Sequence, residues 1–218
     1  TERTVLPAGP RRLGRYLDPW EIARGGMGAV VRAIDPELDR PVAIKMILDQ
    51  SMAHGELLER FLREARITGK LQHPNIPPLH EISRTPEGQV YFAMKLIEGK
   101  SLADLIAEGR TPREVFLSSL VKVCDALAYA HSRGVVHRDL KPANVMVGEF
   151  GEVLVMDWGL AKVLGTSDVR ARPATPTLLE GDPLRTAEGS VMGTPAYMSP
   201  EQAAGRLDEI DGRSDVYS

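Results

Sequence analysis

Residues 137–144, His137-Arg138-Asp139-Leu140-Lys141-Pro142-Ala143-Asn144, crowd five polar or charged side chains into eight positions. The string follows a long apolar segment and the strand-like pair Val135-Val136, so it is a connection at the edge of a core and not part of one. A charged turn with no task is the plain alternative. The residue types argue against it. Asp139 can take a proton, Lys141 two positions on can neutralise an anionic group, and Asn144 offers an amide oxygen to a hard cation such as Mg²⁺.

The surrounding chain changes period along its length. Residues 1–12 are poor in apolar side chains and read as a tail or linker. From Tyr16 to Met46 the pattern is strand-like, with Ala29–Ile34 and Pro41–Leu48 as short β-branched runs around a turn at Asp35, Pro36 and Asp39. Residues 55–71 switch to helical spacing through Leu58, Phe61, Leu62, Ala65 and Thr68, and His73-Pro74-Asn75 closes that helix. Two more strands are expected near Leu79–Ser83 and Val90–Leu96. A short helix at 101–108 has Ser101 as its N-cap. A long helix at 113–133 carries the stripe Leu117, Leu120, Val121, Cys124, Leu127, Ala128 and His131, which places Cys124 in the core. Two β-like runs, Val145–Val147 and Val153–Met156, come next. A polar stretch, 164–190, has the length and composition of a functional or disordered loop. Strands with one helix, then mostly helix, predict an α+β architecture of two unequal lobes.

Three further constellations bear on chemistry. Ala23-Arg24-Gly25-Gly26-Met27-Gly28-Ala29-Val30 lies between two strand-like segments, where glycines let backbone N–H groups approach a phosphate chain. Such a cluster is also an ordinary hairpin turn. Val42-Ala43-Ile44-Lys45 sets a lysine in an apolar strand, where it needs an anionic partner or must lose its proton. Glu64, beside the Phe61–Ala65 stripe, can face inward to supply one, although most Lys and Glu are simply exposed. Asp157-Trp158-Gly159 puts a carboxylate at the end of an apolar run, 13 residues after Asn144.

Taken in order, the glycine loop, VAIK, a helix Glu, HRDLKPAN, DWG, GTPAY and SPE resemble the motif set of the eukaryotic-type protein kinases. The resemblance runs from about Tyr16 to Ser218 and looks like the bacterial serine/threonine branch. It implies a two-lobed fold with a β-rich small lobe holding one helix at 13–96, and a mostly helical large lobe at 97–218 that is incomplete. It implies ATP and Mg²⁺ as cofactors and γ-phosphoryl transfer to Ser or Thr of protein substrates. Asp139 would be the base, Lys141 would meet the transferred group, and Lys45 would bind the α and β phosphates while pairing with Glu64. Asn144 and Asp157 would hold Mg²⁺. Ile22, Ala23, Gly25, Gly26, Met27 and Gly28 would cover the nucleotide. Val30, Ala43 and Met146 would line the adenine, with Met94 as gatekeeper and the backbone of 95–97 as its hydrogen-bonding edge. Arg138 would receive a phosphate on the segment 157–201, at Thr186 or Ser190, and self-association would serve autophosphorylation.

The sequence departs from that family at several points. Ala23 stands where the loop's first Gly usually sits, which costs roughly 1 kcal/mol if the position needs φ > 0. Pro19 makes the first strand an edge or an irregular one. Lys95 replaces an acidic hinge residue, and Trp158 replaces Phe. Glu201 would normally pair with an arginine beyond Ser218, so the piece itself is expected to be less stable or less active than a longer chain. A non-catalytic nucleotide-binding scaffold is the rival reading. A small-molecule kinase is another, against which GTPAYMSPE argues. A net charge of −3 argues against binding nucleic acid by bulk charge, and a single cysteine excludes a disulfide framework. No apolar run has the roughly 18 residues of a membrane span, so a cytoplasmic location is expected, with any anchor outside this chain.

Overall fold

The computed structural model describes residues 12–25, 28–48, 55–164 and 194–218. Gly26, Met27, Thr186 and Ser190 lie outside the described residues. The chain forms two compact units. One runs up to Gly99 and takes in Gly148–Glu152, and the other comprises Lys100–Val147 and Val153–Ser218.

The first unit contains β1 (Arg12–Leu13), β2 (Tyr16–Gly25), β3 (Gly28–Asp35), β4 (Arg40–Met46), α1 (Glu56–Lys70), β5 (Leu79–Arg84) and β6 (Val90–Lys95). The strands form one antiparallel sheet in the order β1-β2-β3-β4-β6-β5. Strand alternation divides its side chains between two faces. Tyr16, Val31, Ala33, Val42, Ile44, Tyr91 and Ala93 form a buried cluster on one of them. The intervening residues point the other way, where Phe92 meets Phe61 of α1 with ring centroids 4.9 Å apart. The helix therefore docks through Phe61, Ala65, Ile67 and Thr68, all buried, and Glu64 is carried into the same buried face. β4 ends at Met46, short of the expected Leu48, and just past it the Ile47 carbonyl accepts from the Gln89 side chain at 2.6 Å.

Pro19 falls where the β2–β3 register shifts, between Leu17 and Trp20, and Asp18 before it has a φ of 47°. A bulge removes the need for the N–H that proline lacks. Ala23 sits in β2 without a positive φ, next to a second register shift after Glu21. The conformational penalty expected for alanine there does not arise, because the bulge, not a left-handed residue, turns the strand. Gly28 is different. Its φ is 150°, and a Cβ would lie 2.0 Å from the Met46 carbonyl oxygen, so only glycine fits.

The second unit holds most of β7 (Gly99–Ser101), then α2 (Leu102–Glu108), α3 (Arg113–Ser132), β8 (Val135–Val136), β9 (Val145–Gly148), β10 (Val153–Val155), β11 (Lys162–Val163), α4 (Pro200–Ala203) and α5 (Gly212–Tyr217). Ser101 caps α2 through a capping box with Asp104, as its sequence predicts. The expected face of α3 is overturned. Leu117, Leu120 and Val121 are 51%, 57% and 60% exposed, and Cys124 and Ala128 are exposed too. Of the expected stripe only Leu127 is buried; it is joined by Ser119, Val123, Ala126 and Ala130, on a helix packed against β8 and β10. α3 carries apolar residues on more than one side, so periodicity does not select the buried one. Small Ser119, Ala126 and Ala130 admit the closest approach.

These burials predict an ordering of stability effects. Phe61→Ala is expected to cost about 3–5 kcal/mol in urea unfolding, and Val121→Ala under about 0.5 kcal/mol. Cys124 is expected to react with a thiol reagent in the folded protein. A protected Cys124 and a costly Val121→Ala would restore the sequence-predicted face.

Candidate active site

The first unit positions the lysine through register. Val30, Lys45 and Phe92 stand opposite one another across β3, β4 and β6, and Ala23 pairs with Val30. Arg32, Ala43 and Met94 form the next row. Ala23, Val30, Ala43, Lys45 and Met94 consequently share the face on which α1 packs. Lys45 Nζ lies 2.5 Å from Glu64 Oε1, with side chains 17% and 6% exposed. The contact gives each of these mostly buried side chains a polar partner. Lys95 meets Glu152 at 3.1 Å. Ile22 is half exposed, and Leu96 and Ile97 follow β6 as open chain. Met146, the remaining expected adenine contact, lies on β9 in the other unit.

The second unit builds a network around the 137–144 string. The buried Asp215 carboxylate accepts from the backbone N–H groups of His137 and Arg138, each at 2.8 Å, and lies 2.7 Å from His131 Nε2. Arg138 adopts a left-handed φ of 69°, and its Nε donates to the Leu160 carbonyl at 2.6 Å. The next residue, Asp139, is buried and has both carboxylate oxygens engaged. Oδ1 accepts from the Thr194 N–H at 3.0 Å and its hydroxyl at 3.2 Å. Oδ2 accepts from Lys141 Nζ at 2.8 Å and Asn144 Nδ2 at 3.1 Å. Lys141 Nζ also donates to Thr194 Oγ1 at 2.7 Å, and Asn144 Nδ2 to the Asp139 carbonyl at 2.8 Å. Charge-assisted bonds of this kind fix the orientation of a carboxylate.

Because both Asn144 amide hydrogens turn toward Asp139, its oxygen is the end left for a cation. The Asn144 backbone carbonyl accepts from the Met156 N–H at 2.7 Å, which ties the turn before β9 to the start of 157–159. There Asp157 is exposed, with a φ of 60°, while Trp158 is buried. The indole donates to the Val155 carbonyl at 3.1 Å and packs its edge on His137, 4.7 Å between centroids. Trp158 thus anchors the turn from which the Asp157 carboxylate projects. Asn144 thus has an amide oxygen and Asp157 a carboxylate to offer, the oxygen donor types that Mg²⁺ takes alongside water and phosphate. Among the described residues no group of three His, Cys, Asp or Glu side chains could hold a metal alone.

The structure thus brings Asp139, Lys141 and Asn144 together in one unit, and Lys45 and Glu64 together in the other. Sequence reasoning missed Thr194, Asp215 and Gln202. Thr194 and Gln202 lie within or beside the GTPAY and SPE strings, and Asp215 within α5 near the end of the sequence. That was the only signal they carried. Glu201 accepts from the Ser214 hydroxyl. This bond, with lesser help from Ser199 and its own backbone, lowers its pKa below the ordinary 4.5.

The protein kinase domain family matches residues 17–218. The chain is 38% identical over 211 residues to the serine/threonine-protein kinase PknD of Protochlamydia amoebophila, which covers 90% of this chain and 21% of that protein. It is 36% identical over 215 residues to PknD of Chlamydia trachomatis serovar D, covering 90% and 23%. The chain therefore spans less than a quarter of the length of these curated relatives. No helix among the described residues is long and apolar enough to cross a membrane.

A lowered carboxylate pKa stabilises the fold above the ordinary value, and that contribution is lost as pH falls through the folded one. Ser214→Ala is expected to raise the Glu201 pKa toward 4.5 in an NMR titration, with acid unfolding beginning at higher pH. An unmoved Glu201 titration would show that the hydroxyl does not act on it.

Proposed function

The chain belongs to the protein kinase domain family, and from that premise we propose that it transfers the γ-phosphoryl group of ATP, with Mg²⁺, to Ser or Thr hydroxyls of proteins. Support comes above all from the posture of Asp139, whose carboxylate is buried and clamped at both oxygens. In the proposed reaction the substrate oxygen bonds to the γ-phosphorus as the bond to the β,γ-bridging oxygen breaks. Its proton passes to the Asp139 carboxylate and ADP leaves. Lys141 balances negative charge on the transferred group, and its position two residues after Asp139 is the form that favours Ser/Thr substrates. Lys45 engages the α and β phosphates while Glu64 holds it in place. Asn144 and Asp157 supply protein oxygens to Mg²⁺. Positioning and charge neutralisation do most of such a reaction, with little covalent chemistry asked of the protein.

Ala23, Val30, Ala43 and Met94 share a sheet face with Lys45, which suits them to cover the base and sugar. The segment between Asp157 and Glu201 would regulate activity through phosphate on Thr186 or Ser190. A boundary near 96–97 between a small and a large lobe accompanies this reading, as does pairing of two copies for autophosphorylation.

With Mg²⁺-ATP the protein is expected to gain phosphate on Ser or Thr, seen in intact mass as steps of about 80 Da, the mass one phosphoryl group adds. Asp139→Asn is expected to slow this by roughly 10²–10⁴-fold, the usual worth of a general base. Equal rates for the two proteins, or none in wild type, would overturn the reading.

A further inference from the structure

We infer that Gln202 is a positioning residue for phosphoryl transfer, holding the Arg138–Asp139 peptide so that the Asp139 carboxylate meets the substrate hydroxyl. The inference rests on the kinase reading above.

Gln202 is 4% exposed, on the short helix α4. Its Nε2 donates to the Arg138 carbonyl at 2.7 Å, across 64 residues of sequence. Its Oε1 accepts from the Ser199 N–H at 3.3 Å and the Ser199 hydroxyl at 3.1 Å. The partners fix the orientation of the amide. A backbone carbonyl can only accept, so the NH₂ must face Arg138, and a backbone N–H can only donate, so the oxygen must face Ser199.

The peptide so gripped leads directly into Asp139. Peptide planarity makes the Arg138 carbonyl and the Asp139 N–H one rigid body. The carbonyl end is held by Gln202, and the N–H end by His137 Nδ1 at 3.3 Å. Arg138 has a φ of 69°, strained for a residue with a side chain. Such a conformation persists only where its surroundings over-determine it. Asp215 fixes the nitrogen side of Arg138 at 2.8 Å, and Gln202 fixes the carbonyl side. Without the amide donor, the buried carbonyl loses its partner and the peptide can rotate, carrying the Asp139 backbone with it. Thr194, Lys141 and Asn144 grip the carboxylate but not that peptide plane.

Two variants of nearly equal size separate positioning from packing. The rate of phosphate incorporation into the protein, at varied ATP and from pH 6 to 9, gives a maximal rate and a KM for ATP. Gln202→Met keeps the volume and removes both polar ends. It is expected to lower the maximal rate by about 10–100-fold, the scale of a small misplacement of a catalytic group, with KM for ATP unchanged. Gln202→Glu turns an acceptor toward an acceptor when ionised but regains a donor when protonated, and burial raises its pKa. Its rate relative to wild type at the same pH is therefore expected to climb as pH falls, while the Gln202→Met ratio stays flat. A wild-type maximal rate for Gln202→Met, or a flat ratio for Gln202→Glu, would overturn the inference. If circular dichroism shows Gln202→Met unfolded, the pH dependence of Gln202→Glu decides alone. A wild type that incorporates no phosphate overturns the kinase reading, and the inference with it. An active wild type beside unaffected variants overturns the inference only.

Discussion

The oxygens of a buried carboxylate must find donors inside the protein, and the second unit is organised around two such groups, Asp139 and Asp215. Asp215, inside the fold, collects two consecutive backbone N–H groups and a histidine. Asp139, at its edge, collects a backbone N–H, a hydroxyl, an ammonium and an amide. The residue between the two clusters, Arg138, takes a left-handed conformation, which the bonds on either side of it compel. The polar octet of residues 137–144 is thus a junction where β8, β9, the turn at Trp158 and the segment from Thr194 to Gln202 converge.

The first unit solves a different problem with the same economy. A sheet has two faces, and here one is filled by Tyr16, Val31, Val42, Ile44 and Tyr91. Lys45 falls on the other by alternation, and α1 brings Glu64 to meet it because Glu64 adjoins the Phe61 and Ala65 positions that dock the helix. The pair is a product of two periodicities, 2.0 in the strand and 3.6 in the helix, meeting at one place. Neither residue needs a loop to aim it, so the charge is held on rigid elements.

Local chemistry was largely legible in the sequence. α1 follows its periodicity and α2 its Ser101 cap, and the β9–β10 hairpin follows its two apolar runs. The face of α3 was not legible, because Leu117, Val121 and Cys124 are as apolar as Val123, Ala126 and Leu127, and only the neighbouring strands choose between them. Whether Ala23 needs a positive φ was left open by the sequence, because φ there depends on a bulge set by register with β3. The partners of the 137–144 string were out of reach for a simpler reason. Asp139 to Thr194, Arg138 to Gln202 and Arg138 to Asp215 span 55, 64 and 77 residues, and no local pattern encodes contacts at that separation. Motif strings marked their neighbourhoods but not which atom meets which.

The central claim is that the Asp139 carboxylate is held in a reactive posture by donors, and Thr194 supplies two of the four groups that hold it. Comparing Thr194→Ser with Thr194→Val in the rate of phosphate incorporation tests this most directly, since only the first keeps a hydroxyl. Serine is expected to retain wild-type rates within a few-fold. Valine is expected to lose roughly 10–100-fold in maximal rate, as misorientation of a catalytic group does, with KM for ATP unchanged. Equal rates for the serine and valine proteins would mean that the hydroxyl does not hold Asp139, and would contradict the account.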